Sequence, residues 1–185
     1  MIIIFHTWKM SNILFYNSRT NPEMYFMSNF YPHLQPDPLF KLKHNGKTYK
    51  TSEALYAALK IEPTSPDYQS KADEFIDHIR VASTPTKALY LGRFYTFVKY
   101  SWHQPLQEIV KKYEPYVKLK DNWEDERYDI MKFVVSQKFK QNPHLMKRLL
   151  KTKGSVLGEQ TSSYWGYGGS NALGNILMSI RDETS

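Results

Sequence analysis

The sequence predicts an α+β fold, mostly helical, with a small antiparallel sheet. Three observations carry that reading. Asn45-Gly46 lies between Phe40-Lys41-Leu42-Lys43 and Lys47-Thr48-Tyr49, two short alternating stretches around the strongest brief hairpin signal. Farther on, Ile130, Met131, Val134, Val135 and Phe139 recur at helical spacing. The chain is also 185 residues long and 41% hydrophobic, with no internal repeat and no linker rich in Gly, Ser or charge. That length suits one domain with a sizeable core.

Taken in order, residues 1–14 read as a short strand or a disordered lead, and residues 15–185 as the domain. Tyr31 to Pro38 is a proline-punctuated loop, and the hairpin follows it. Thr51 or Ser52 then caps a helix predicted to run through Ile61, and Pro63 and Pro66 break the chain. Asp67–Arg80, Pro85–Tyr100 and Leu106–Tyr113 read as helices. The clearest long helix covers Glu124–Gln141, with the apolar stripe on one side. Pro143 separates it from Leu145–Leu150, and a last helix spans Leu173–Arg181, with Leu173, Ile176, Leu177 and Ile180 on one face.

Composition excludes several classes of function. With zero cysteines the chain has no disulfide, thiolate zinc site or cysteine nucleophile, which agrees with a cytoplasmic setting. No apolar run approaches the roughly 20 residues that span a bilayer, so no membrane partner is expected. The six histidines show no spacing typical of metal ligands, and no Walker loop, nucleophile-elbow serine or dinucleotide fingerprint occurs. Neither a metal nor a cofactor is expected. A net charge of +7 favours acidic partners such as nucleotides, phosphosugars or nucleic acid, although scattered lysines also simply solubilise a surface.

The most informative stretch runs from Tyr164-Trp165-Gly166-Tyr167-Gly168-Gly169 through Ser170-Asn171 to Asn175. A glycine-rich aromatic loop at the start of an apolar helix lets backbone approach a ligand. Trp165 offers a flat face, and a helix start offers N–H groups to a phosphate. Trp165, Gly166, Asn171 and Asn175 are therefore candidate ligand residues. Upstream, Glu53 and Lys60 fall about two turns apart on the expected helix, near one face. They could share a substrate or form a solvated charged face. Asn29, Phe30 and Trp123 are candidates for ligand contact or for the core, and Lys138-Phe139 for mixed packing and charge.

These pieces, with Phe15-Tyr16, Met27-Ser28-Asn29-Phe30-Tyr31-Pro32, Gly46 to Glu53, Asn122-Trp123 and Met131, resemble the NADAR family, also called YbiA-like, from about Phe15 to Arg181. The resemblance implies a hydrolase acting on N-ribosyl bonds. Its substrates would be ribosylamino pyrimidine intermediates of riboflavin synthesis, or ADP-ribose on guanine in nucleic acid. Lys60 would be the nucleophile and Glu53 the general acid/base, with Glu159 taking over part of an acidic role. In a competing route Glu53 stabilises a sugar cation and Lys60 positions a phosphate. The expected partner is a ribosyl-phosphate or ADP-ribose ligand, or ADP-ribosylated nucleic acid. The chain departs from the family pattern where Ala54 replaces a histidine after Glu53, and where an aspartate before Trp165 has no counterpart. A non-catalytic ADP-ribose reader and a single-stranded nucleic-acid binder are the alternatives. Glu53, Lys60, Asn29, Trp123, Glu159, Trp165 and Asn171 are expected to line one cleft.

Overall fold

The computed structural model describes residues 12–15, 21–94 and 103–184. Most of the expected lead, up to residue 11, lies outside them, as does the end of the helix expected to reach Tyr100. In chain order the elements are β1 (Asn12–Phe15), β2 (Lys43–His44), β3 (Lys47–Thr48), α1 (Ser52–Ala58), β4 (Ile61–Pro63), α2 (Gln69–Val81), α3 (Pro85–Leu91), α4 (Gln104–Tyr113), β5 (Val117–Leu119), α5 (Trp123–Gln141), α6 (Pro143–Leu150), β6 (Val156–Glu159) and α7 (Ala172–Glu183). Among the described residues the helices dominate, and the strands form three two-stranded pairings. The fold is α+β, as the sequence predicts. One pairing, β1 with β6, is parallel and joins Phe15 to Glu159; such a long-range partner leaves no turn in the sequence to announce it.

The chain divides into two compact units. Among the described residues, one combines those up to Ser28 with those from His144 onward, and the other covers those from Asn29 to Pro143. In the first, α7 packs on β6 and buries Leu173, Ile176, Leu177 and Ile180. Its last turn is tied back by Arg181, buried, whose guanidinium donates to the carbonyls of Thr152 and Ser155 at 2.8 Å each.

In the second unit α1 is central. It contacts α2, α3 and α5, and every residue from Ser52 to Ala58 is buried. Small side chains permit this. Ala57 lies so near Gly92, just past α3, that a Cβ on that glycine would come within 2.7 Å of the alanine's own. Thr51 caps the helix, its Oγ1 accepting from the Ala54 N–H at 3.2 Å. The helix then stops at Ala58, not Ile61. Ile61–Pro63 pairs antiparallel with Val117–Leu119, and the Lys60 carbonyl accepts from the Lys120 N–H at 2.9 Å. Pairing with a distant strand outcompetes the local helical preference of Leu59 and Lys60.

The hairpin forms around Asn45 and Gly46, both at positive φ (47° and 74°) as a tight primed turn requires. Helix α5 buries Met131, Val134, Val135 and Phe139, but Ile130 is half-buried and Lys138 is fully buried, its Nζ 5.6 Å from the Tyr31 ring centre. Asn142, fully buried at the end of α5, holds the segment leading into the hairpin. It accepts from the Lys41 N–H and donates to the carbonyls of Lys41 and Lys138. Replacing it by alanine strands three backbone groups. Asn142→Ala is therefore expected to cost about 2–4 kcal/mol in urea unfolding.

Candidate functional site

The sequence left open whether Glu53 and Lys60 form a solvated face. They do not. Glu53 is 6% exposed and Lys60 5%. Lys60 is not on the helix either. It sits two residues past the end of α1, in the turn into β4. There its ammonium lies 4.5 Å from the ring centre of Tyr56 and 4.9 Å from that of Trp123. The two rings meet edge to face, 5.2 Å apart, and form two walls of one aromatic corner. Tyr56 comes from α1, and Trp123 is the first residue of α5, so the packing of these helices makes the corner.

Burial sets the protonation of both groups. Loss of water is the largest influence on Lys60 and lowers its pKa from 10.5 to about 8; Glu53 nearby opposes the fall and Arg93 assists it. Burial pushes the Glu53 carboxyl above its ordinary range, and Lys60 and Arg93 pull it back. Among the described residues no ion pair within 4.0 Å joins Glu53 to Lys60, and Glu53 Oε1 is buried without a hydrogen-bond partner. An acid biased toward its neutral form beside an amine biased toward its neutral form is a pair equipped to move protons.

Asn29 adjoins this pair. Its carbonyl accepts from the Glu53 N–H at 3.0 Å, and its side-chain Nδ2 donates to Met131 Sδ at 3.2 Å. Phe30 is half-buried at the head of the loop. On an adjacent face of α1 opens a cleft of about 500 Å³, bordered by Pro32, Phe40, Tyr49, Thr51, Ala54 and Pro85, but not by Glu53 or Lys60. Ala54, where the family pattern has histidine, thus contributes a methyl group to that cleft.

Glu159, Trp165, Gly166, Asn171 and Asn175 belong to the other unit, where β6, the glycine-rich loop and α7 gather them. Here the structure changes the meaning of the glycines. A Cβ on Gly166 would fall 2.2 Å from the Thr161 carbonyl oxygen, and one on Gly169 2.2 Å from that of Ser163. These glycines let the loop fold on itself. The start of α7 is not open to a phosphate in the expected way, because the N–H groups of Ala172 and Leu173 donate to the carbonyls of Tyr164 and Trp165. Asn171, at φ 51°, donates from Nδ2 to the Leu157 carbonyl at 3.0 Å. Trp165 is half-buried, edge-on to Tyr164 at 4.9 Å. Glu159 is half-buried, and its carbonyl accepts from the N–H groups of Thr161 and Tyr167. Asn175 is exposed and donates weakly to the Ser170 carbonyl at 3.4 Å.

Sequence reasoning missed Arg93 as a charge felt by both titrating groups; nothing local pointed to it, 33 positions from Lys60.

A buried lysine and glutamate at the Ser-Glu segment, an asparagine from Ser-Asn-Phe and a tryptophan after Asn122 define the class of domain. The chain matches the NADAR domain over residues 14–185 and belongs to that family. It is 31% identical over 164 residues to the riboflavin biosynthesis protein PYRR, chloroplastic, of Zea mays, covering 84% of this chain and 23% of the maize protein. It is 29% identical over 148 residues to N-glycosidase YbiA of Escherichia coli (strain K12), covering 77% of this chain and 74% of the relative. The chain thus spans about a quarter of the plant protein. The NMR structure of the E. coli protein YbiA superposes with a TM-score of 0.63 at 27% identity, over 98% of this chain and 89% of that one. No helix among the described residues is long and apolar enough to cross a membrane.

Proposed function

We propose that this protein is an N-glycosidase that hydrolyses the bond between a ribose and an exocyclic amine, with ribosylamino pyrimidines as the leading substrates and ADP-ribosylated guanine as the other. The observation that carries this reading is Lys60, buried in an aromatic corner with its pKa lowered to about 8 and Glu53 close by without an ion pair. The names of the relatives, an N-glycosidase and a riboflavin biosynthesis protein, support it. A cysteine-free sequence accords with action in the reducing cytoplasm.

A ribosylamine opens its ring so that C1 becomes an imine to the substrate's nitrogen while O4 gains a proton. The neutral amine of Lys60 adds to C1. Glu53, in its acid form, protonates the exocyclic nitrogen, and the aminopyrimidine leaves as the C1–Nζ double bond forms. Water, losing a proton to the Glu53 carboxylate, then adds to C1 and expels Lys60, freeing the sugar as an aldehyde. Asn29, Phe30 and Trp123 are proposed to line the site around this pair. Within their own unit, Glu159, Trp165, Asn171 and Asn175 are proposed as further ligand contacts.

The test is incubation with a ribosylamino pyrimidine and with an ADP-ribosylated guanine oligonucleotide, with and without borohydride, followed by mass spectrometry. Sugar loss and a reduced sugar adduct on Lys60 are expected. Retention of the sugar on both substrates would sink the enzymatic reading and leave an ADP-ribose reader, which calorimetry against ADP-ribose would detect.

A further inference from the structure

Three buried polar atoms around α1 have no hydrogen-bond partner: Asn29 Oδ1, Ser52 Oγ and Glu53 Oε1. They are near neighbours along the backbone, since Ser52 and Glu53 are adjacent and the Glu53 N–H bonds to the Asn29 carbonyl. Leaving a buried polar atom without a partner is costly, so three together call for an explanation. Asn29 supplies the sharpest one. Its Nδ2 is engaged by Met131 Sδ at 3.2 Å, and a thioether sulfur can only accept. That bond determines which end of the amide is which. The nitrogen is held against α5, and the oxygen is left as a dry, fixed acceptor.

We infer that Met131 is a positioning residue that holds Asn29 Oδ1 ready to accept from the 2-hydroxyl of the substrate's ribose, making the site selective for ribosyl over 2-deoxyribosyl compounds. The inference rests on the N-glycosidase reading and adds to it the sugar the site requires. A hydroxyl is the donor that suits a neutral acceptor beside a carboxyl group, and the 2-hydroxyl sits on the carbon next to C1. Asn29 is one backbone hydrogen bond from Glu53, the residue that serves C1. A site built around a substrate hydroxyl rejects the analogue that lacks it, because the acceptor then stays buried and unpaired.

The experiment compares one ribosylamino pyrimidine with its 2-deoxyribosyl counterpart, first on the unaltered protein. A preference for the ribosyl compound of about a hundredfold or more in kcat/KM is expected. Met131→Leu keeps the volume and removes the sulfur, so the amide is free to turn over. The ribosyl rate should fall about tenfold or more while the 2-deoxyribosyl rate barely changes. A packing defect would lower both alike, and that result overturns the positioning role. Should Met131→Leu not fold, Asn29→Ala makes the same comparison, and its two rates should converge. Equal rates on both sugars in the unaltered protein overturn this inference and leave the N-glycosidase reading standing. No release from either sugar overturns both.

Discussion

Lys60→Arg is expected to lower N-ribosyl hydrolysis by about a thousandfold or more while ribose 5-phosphate binding changes little. Arginine keeps the positive charge and can still sit over the Tyr56 and Trp123 rings, but it has no neutral form to act as a nucleophile. The pH profile gives an independent check. With its pKa lowered to about 8 by burial, about one Lys60 in ten is neutral at pH 7. The limb of kcat/KM that reports this amine should therefore rise nearly tenfold per unit below about pH 8 and level off above it. If Lys60→Arg turns over at close to the original rate, the imine route is wrong and the sugar-cation route through Glu53 takes its place.

The same burial has a consequence for stability, with a definite sign. Because the folded pKa of Lys60 lies below its ordinary 10.5, the unfolded chain binds more protons between about pH 8 and 10.5. The penalty for burying a charged lysine is present in full below about pH 8 and vanishes as pH rises to 10.5. Lys60→Met should accordingly stabilise the protein at pH 7 by about 3 kcal/mol, a gain that disappears near pH 10.5. A melting temperature that does not rise at pH 7 would count against the buried charge. Glu53 contributes with the opposite slope: its raised pKa makes the fold lose stability as pH rises above the ordinary carboxylate range.

Gly174→Ala carries the largest expected loss of stability. A Cβ at this position would stand 2.1 Å from the Leu157 carbonyl oxygen, a backbone atom of β6 that no rotamer change can move. Helix α7 would have to lift off the strand by more than an ångström, and it buries Leu173, Ile176, Leu177 and Ile180 on that side. The expected cost is about 3–5 kcal/mol. Gly46→Ala is the informative contrast. Nothing lies within 4 Å of its Cβ position, so only the positive φ of 74° is strained, a cost of about 1 kcal/mol. Equal losses for the two variants in urea unfolding would mean that α7 and β6 are not packed as described.

What the sequence determined by itself is local. Asn45-Gly46 specified its hairpin because few other residue pairs adopt the two left-handed conformations of the turn. Thr51-Ser52 marked the start of α1, since a β-region residue with a side-chain oxygen satisfies the first free N–H groups, and Thr51 takes that place. The stripe through Met131, Val134, Val135 and Phe139 specified the buried side of α5, because helical geometry returns those positions to one face. Tertiary structure decided the rest. The early end of α1 depends on strand β5, 58 residues later, and pairing across that distance leaves no mark on Leu59 or Lys60. Whether Glu53 and Lys60 met water or protein depended on α2, α3 and α5 closing around α1. The glycines of the C-terminal loop look in sequence like room for a ligand, yet Gly166 and Gly169 serve the loop's own carbonyls. A missing Cβ says that something comes close, and only the folded chain says what.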